Sequence, residues 1–190
     1  MSDYVLSCES TVDLTPEKIK ELGLECIFFH FYIDGVEYAD DLGQTIPFDK
    51  FYQAMKDGAE TKTAAIGTGE YEKFFRGFFE QGKDVLHVSL SSGISGTVES
   101  ARIAAERKIY IIDSLAASSG YGLLMQALSE KRSEGMGLDE LSEWAEAHKL
   151  HDWHWFFSTD LTFYIKGGRV KPLSGFVGSM LGICPLLNMD

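Results

Sequence analysis

The sequence predicts an α/β protein built around a parallel sheet with flanking helices. Two patterns carry that prediction. Residues 85–134 alternate strand, loop, helix, strand and helix, and such units cross over right-handed onto a parallel sheet. Upstream, Tyr4-Val5-Leu6 reads as a short buried strand and is followed by a helix. Composition agrees: 190 residues, 45% hydrophobic and 24% charged, make an ordinary globular chain with enough length for a real core.

Each element has a local reason. Thr15-Pro16-Glu17 opens the first helix: Thr caps, Pro suits the first turn, and Glu complements the dipole, while Gly23 closes it. Cys26 to Ile33 reads as one aromatic-rich strand. Asp34-Gly35 is a hairpin signal, and Val36 to Tyr38 is the returning strand. Pro47 to Lys56 is helical, with Phe48, Phe51, Tyr52 and Met55 on one face. Gly69 to Gln81 is a second helix capped by Thr68, and its Phe74, Phe75, Phe78 and Phe79 stripe has core spacing. Val85 to Leu90 and Ile109 to Ile112 are strands; Val98 to Glu106, Ala116 to Glu134 and Leu138 to His148 are helices. Trp155 to Ser158 is a strand, followed by a helical stretch from Leu161 to Lys166.

Charge and cysteine usage narrow the function classes. Seventeen Lys and Arg against 29 Asp and Glu give a net charge of −12. A nucleic-acid binder that tracks phosphates needs a basic face, so that class is disfavoured, while a small local anion site is not. Cys8, Cys26 and Cys184 are far apart, with neither disulfide-framework nor zinc-ligand spacing. The acidic Met1-Ser2-Asp3 opening lacks a signal-peptide pattern, and no run approaches the ~20 apolar residues that cross a bilayer. The expectation is a cytoplasmic protein without a stable membrane anchor.

Four segments carry candidate chemistry. Ser89 to Thr97 (SLSSGISGT) leaves a strand and opens a helix. Small residues let N–H groups approach an anion, hydroxyls add neutral donors, and the helix N-terminus adds about half a positive charge. The segment is not a P-loop, a dinucleotide fingerprint or a nucleophile elbow. From pattern alone, a capped loop without ligand and a carboxylate or phosphate site remain equally open. Asp113 to Gly120 follows the next strand, where Asp113 is either a turn cap or part of a ligand wall. Thr63, between two helices, is either a local cap or a hydroxyl for an anion. Lys166-Gly167-Gly168-Arg169 marks a helix end, where Arg169 either complements the dipole or forms a fork for an anionic head. His148, His151 and His154 do not converge as metal ligands on a helix, so no metal site is expected.

Together these motifs resemble the DegV family, bacterial fatty-acid-binding proteins that include the lipid-binding subunits of fatty acid kinase. The resemblance rests on Glu9-Ser10-Thr11-Val12-Asp13-Leu14, on Ser91-Ser92-Gly93-Ile94-Ser95-Gly96-Thr97, on Asp113-Ser114 with Ser118-Ser119-Gly120, and on Lys166-Gly167-Gly168-Arg169. Glu9 stands where the family usually has Asp, and Ala64-Ala65-Ile66 where members often have Ser-Gln-Pro. The resemblance implies a two-domain fold: residues 1–155 as the N-terminal α/β domain, and 156–190 as the start of an incomplete lipid-tunnel domain. It implies a long-chain fatty acid whose carboxylate is held by Thr63, Ser92 and Ser95 with the Gly96 and Thr97 backbone. Arg169 would contact the head group or a partner. The protein would then be a non-enzymatic carrier, with bound fatty acid as ligand and no cofactor, presenting it to a separate ATP-dependent kinase subunit. Two other readings stand beside it: a serine hydrolase using Ser92 or Ser95 with His87 as the nearby base, and a ligand-free fragment.

Overall fold

The computed structural model describes residues 4–105, 108–152, 155–159, 161–167, 184 and 186–188. Its centre is a four-stranded parallel sheet of β1 (Tyr4–Glu9), β2 (Glu25–Ile27), β6 (Asp84–Ser89) and β7 (Ile109–Asp113), in the order β2-β1-β6-β7. A three-stranded antiparallel sheet, order β4-β3-β5, is formed by β3 (His30–Ile33), β4 (Val36–Ala39) and β5 (Thr61–Ala64). The helices are α1 (Pro16–Glu21), α2 (Phe48–Lys56), α3 (Thr68–Phe79), α4 (Thr97–Ala104), α5 (Ser118–Ser133), α6 (Leu138–His148) and α7 (Thr162–Lys166). A short antiparallel pair joins β8 (Trp155–Phe157) to β9 (Leu186–Asn188).

The period of two along the central strands sorts their side chains into two cores. Tyr4, Leu6 and Cys8 of β1, with Leu86 and Val88 of β6, pack with Ile19, Tyr121, Leu124, Leu128 and Leu141 from α1, α5 and α6. Val5 and Val85 point the other way, into Tyr71, Phe75, Ala101 and Ala104 of α3 and α4. Helices therefore cover both faces, as a parallel sheet requires. Three of the four stripe phenylalanines join the core as expected: Phe75 is buried, and Phe74 and Phe78 pack against the same cluster, while Phe79 is half-buried.

Several expectations change. Thr68 is the first residue of α3 and not its cap, which is Gly67. Strand β1 runs on through Ser7, Cys8 and Glu9, because the polar residues there are hydrogen-bonded inside the fold. The single strand expected over 26–33 is two strands in different sheets. The Phe29 N–H between them is taken by Ser10 Oγ at 3.1 Å, which lets the chain leave one ladder and enter another. Thr63 lies in a strand, not a loop, with Thr63 opposite Phe31 in the β3–β5 ladder. The hairpin holds as read: Asp34 and Gly35 both have positive φ, the type I′ geometry that matches strand twist. Helix α6 has the expected limits, and α1 begins at Pro16 with Thr15 Oγ1 accepting the Lys18 N–H.

Candidate functional site

The order β2-β1-β6-β7 reverses between β1 and β6, because the chain leaves β1 toward one side and returns on the other. Open α/β sheets bind ligands in the crevice beyond the carboxyl ends of strands at such a switch point. A cavity of about 390 Å³ lies there. Thr11 enters it from the end of β1, and Leu90, Ile94 and Ser95 from the end of β6. Thr63 and Phe31 come from the small sheet, and Phe48, Phe51 and Tyr52 from α2. One wall is therefore aromatic, and the strand ends supply hydroxyls.

The expected polar residues do not all meet. Thr63 and Ser95 line this cavity together. Ser92 is exposed outside the lining, and its N–H is donated to Asp113 Oδ1 at 3.1 Å. Gly96 is the exposed residue before α4. Thr97, the first residue of α4, is buried; its N–H reaches Ser95 Oγ at 3.3 Å and its side chain faces Tyr71. By accepting that N–H, Ser95 keeps its own proton for another acceptor. Asp113 also accepts the Leu115 N–H at 3.1 Å, so it acts as a turn cap. Arg169 and Gly168 fall outside the described residues, as does His154.

Thr11 escaped sequence reasoning about the site. Its Oγ1 is shielded from solvent and has no hydrogen-bond partner among the described residues. The aromatic wall was seen only as helix periodicity and strand composition. Phe51 packs edge-on against Phe31, ring centroids 5.1 Å apart, and no residue of α2 is fully buried. The apolar face of α2 thus looks onto the cavity as much as onto protein.

Three carboxyl groups share the lining: Asp13, Asp40 and Asp41. Asp41 is consumed by its own turn. Burial pushes it up, but Thr45 and the Gln44 and Thr45 N–H groups outweigh burial and hold it low. Partial desolvation raises Asp13 against a hydrogen bond from Ser118. Burial also raises Asp40, and the charges of Asp13 and Asp41 push the same way. The last two are thereby displaced toward their neutral forms, which lessens their opposition to an anionic head.

Behind the cavity, the α3/α4 face of the sheet turns polar toward the strand ends. Glu9 is fully buried there. Its Oε1 accepts from Tyr71 Oη at 2.5 Å and Ser89 Oγ at 2.6 Å, and its Oε2 accepts the Leu90 N–H at 2.8 Å. Burial pushes its carboxyl up, yet His87, Ser89 and Tyr71 outweigh burial and hold it below the ordinary range. Burial and the Glu9 charge push Tyr71 far up, so its phenol stays protonated and donates. His87 is buried, with Nδ1 paired to Ser7 Oγ at 2.9 Å and Nε2 lying 3.5 Å from Glu9 Oε1. Its partners are therefore in the core, and it does not serve Ser92 or Ser95 as a base.

His148 stacks on Trp144 at 4.2 Å and bonds the Trp144 carbonyl, an aromatic arrangement and not a ligand set. Among the described residues, no group of three or more His, Cys, Asp or Glu side chains is placed to hold a metal ion. No described helix is long and apolar enough to cross a membrane.

The family model described as "Uncharacterised protein, DegV family" matches residues 6–190. The chain belongs to the DegV family. A DegV domain-containing protein of Clostridium perfringens is 29% identical over all of this chain and 68% of its own length. One from Streptococcus pyogenes is 32% identical over 98% of this chain, again 68% of its own length. Among solved structures, a DegV family protein from Thermus thermophilus, described as fatty-acid binding, superposes with a TM-score of 0.85. It is 27% identical, and the match covers 99% of this chain and 68% of that one. A stearic-acid-binding protein from Eubacterium ventriosum gives a TM-score of 0.84 at 25% identity, over 98% of this chain and 67% of that one. The expected α/β fold with a parallel sheet is thus the DegV fold.

Proposed function

We propose that this DegV protein binds a long-chain fatty acid and acts as a carrier, not as a catalyst. One observation carries the reading: the switch-point cavity is lined both by an aromatic wall of Phe31, Phe48, Phe51 and Tyr52 and by the hydroxyl-bearing residues Thr11, Thr63 and Ser95. An acyl chain fits the first group and a carboxylate the second. The fatty acids named for the Thermus thermophilus and Eubacterium ventriosum proteins support this ligand class.

In this reading Thr63 and Ser95 hold the carboxylate directly. The further holders implied by the family resemblance are Ser92 and the backbone of Gly96 and Thr97, although the Ser92 and Thr97 N–H groups are engaged within the loop; Arg169 would contact the head group or the partner. Neutral donors hold a carboxylate without the tight ion pair that would slow its release. The loaded protein then presents the head to a separate ATP-dependent kinase subunit, which forms the acyl phosphate. In the same reading residues 1–155 are the N-terminal α/β domain and 156–190 the start of a lipid-tunnel domain, with β8 straddling the boundary.

Mass spectrometry of an organic extract from gently purified, then denatured, protein tests the reading. A fatty acid near one equivalent is expected, falling at least several-fold in Ser95→Ala. An empty extract, with no binding of added palmitic acid, would overturn it.

A further inference from the structure

We infer that Glu9 is a positioning residue: its buried carboxylate clamps both ends of the loop that offers Ser95 to the ligand head. The inference rests on the fatty-acid reading for its ligand, but on different residues for its geometry.

The loop leaves β6 at Leu90 and enters α4 at Thr97. Leu90 is tied directly, its N–H donated to Glu9 Oε2 at 2.8 Å. Thr97 is tied through one intermediary. Tyr71 spends its only proton on Glu9 Oε1, so the 3.0 Å contact between Tyr71 Oη and Thr97 Oγ1 has Thr97 as donor. Hydrogen bonds linked in a chain that ends on a charged acceptor polarise one another, as in Thr97 to Tyr71 to Glu9, and all of these residues are buried. Between the two ties lie Ile94 and Ser95, the loop's residues on the cavity. The middle of the loop has separate anchors: Ser91 N–H to the Ala116 carbonyl, and Ser92 N–H to Asp113. Ser95 is also held from within the loop, its N–H donated to the Ser91 carbonyl at 3.2 Å, and the Glu9 ties add fixed positions for the two loop ends, Leu90 and Thr97.

The carboxylate is held in turn. Ser89 Oγ donates to the same oxygen as Tyr71, and the Glu9 N–H is fixed by Tyr121 Oη, which donates to the Val88 carbonyl. Among the described residues, the Glu9 side chain's one hydrogen bond to a cavity-lining residue goes to the Leu90 N–H, so its effect on a ligand is argued to act through the loop. A Gln at this position offers one acceptor and one donor where two acceptors are used, and must lose one tie.

Tyr71→Phe, Thr97→Val and Glu9→Gln are compared with the unmodified chain. Two probes displace cis-parinaric acid: palmitic acid, and its methyl ester, which keeps the tail without the ionised head. The clamp predicts about a tenfold loss of palmitic acid affinity in Tyr71→Phe and Thr97→Val, with the ester changed less than about twofold. Equal losses for both probes, or none for either, would overturn it. Should Glu9→Gln fail to fold, the other two variants decide alone. If the unmodified chain binds neither probe, the fatty-acid reading fails, and hydrogen exchange judges the clamp by itself. Amides in 90–97 should then exchange about tenfold faster in Tyr71→Phe while β1 and β7 are unchanged. Unchanged exchange in 90–97 would remove the clamp.

Discussion

Glu9 and Leu90 meet through a 2.8 Å hydrogen bond that joins the end of β1 to the first residue past β6. Burial raises the Glu9 carboxyl, but His87, Ser89 and Tyr71 bring it below the ordinary range. A carboxyl depressed by folding contributes stability above its unfolded value, about pH 4.3, and loses it as pH falls through the folded value. Glu9→Gln should therefore be less stable at pH 7 by roughly 1.5–3 kcal/mol, the worth of a hydrogen bond to a charged group. The gap should close in acid. Urea midpoints between pH 3 and 7 check this; a gap independent of pH would mean that Glu9 is not ionised in the folded protein.

Asp40 has the opposite sign. Burial raises it, with the charges of Asp13 and Asp41 adding to burial and a Ser10 hydrogen bond opposing. Its penalty is absent below the unfolded value, about pH 3.9, and complete once pH has risen through the folded value. Asp40→Asn should then melt higher than the unmodified protein at pH 7 and equal to it near pH 3. It should also bind palmitic acid more tightly at pH 7, because a like charge leaves the cavity wall. Melting curves at the two pH values, with a titration at pH 7, decide both points.

Thr11 offers a pair of effects with opposite signs. Thr11 lines the cavity, and its Oγ1 is shielded from solvent without a hydrogen-bond partner among the described residues. A buried hydroxyl left unpaired costs about 1–3 kcal/mol, and an isosteric methyl does not. Thr11→Val is expected to stabilise the ligand-free protein by about 1 kcal/mol while weakening palmitic acid several-fold. Thermal melts with and without the acid measure both at once. A stability gain without loss of affinity would take Thr11 out of the head-group set.

Legibility in the sequence follows the range of the interactions. Helix α6 is readable to both ends because Gly137 and the apolar spacing of Leu138, Leu141 and Ala145 are local signals. Strands β6 and β7 are readable because both faces of the sheet are covered, which makes their apolar runs continuous. The division of 26–33 between two sheets is not readable. Its decisive bond comes from Ser10, and both halves have strand composition. Thr63 and Ser95 come from the family resemblance, since a Thr or Ser near a helix has too many ordinary uses. Phe51 shows the limit of periodicity: an apolar helical face says that something covers it, but not whether that is protein or ligand. Glu9 is hidden for the same reason of distance, because its meaning depends on Tyr71, 62 residues away.

Two helical glycines with different surroundings test the packing that brings Thr11 to the cavity. Gly→Ala inside a helix ordinarily stabilises by about 0.5–1 kcal/mol. Gly77 of α3 has nothing within 4 Å of an added Cβ, so Gly77→Ala should follow that rule. Gly122 of α5 is buried, and its Cβ would lie 3.2 Å from the Val12 carbonyl and 3.2 Å from Leu14 Cδ2. The Ser10–Val12 turn, which carries Thr11, sits against this bare stretch of helix. A side chain can swing aside, but a carbonyl in a tight turn moves only with the turn. Gly122→Ala should therefore cost about 1–3 kcal/mol, the usual price of overpacking, and should shift Thr11 enough to lower palmitic acid affinity. Urea unfolding of both variants, with a binding titration, distinguishes them. Equal gains in stability would show that α5 and the turn have room to part.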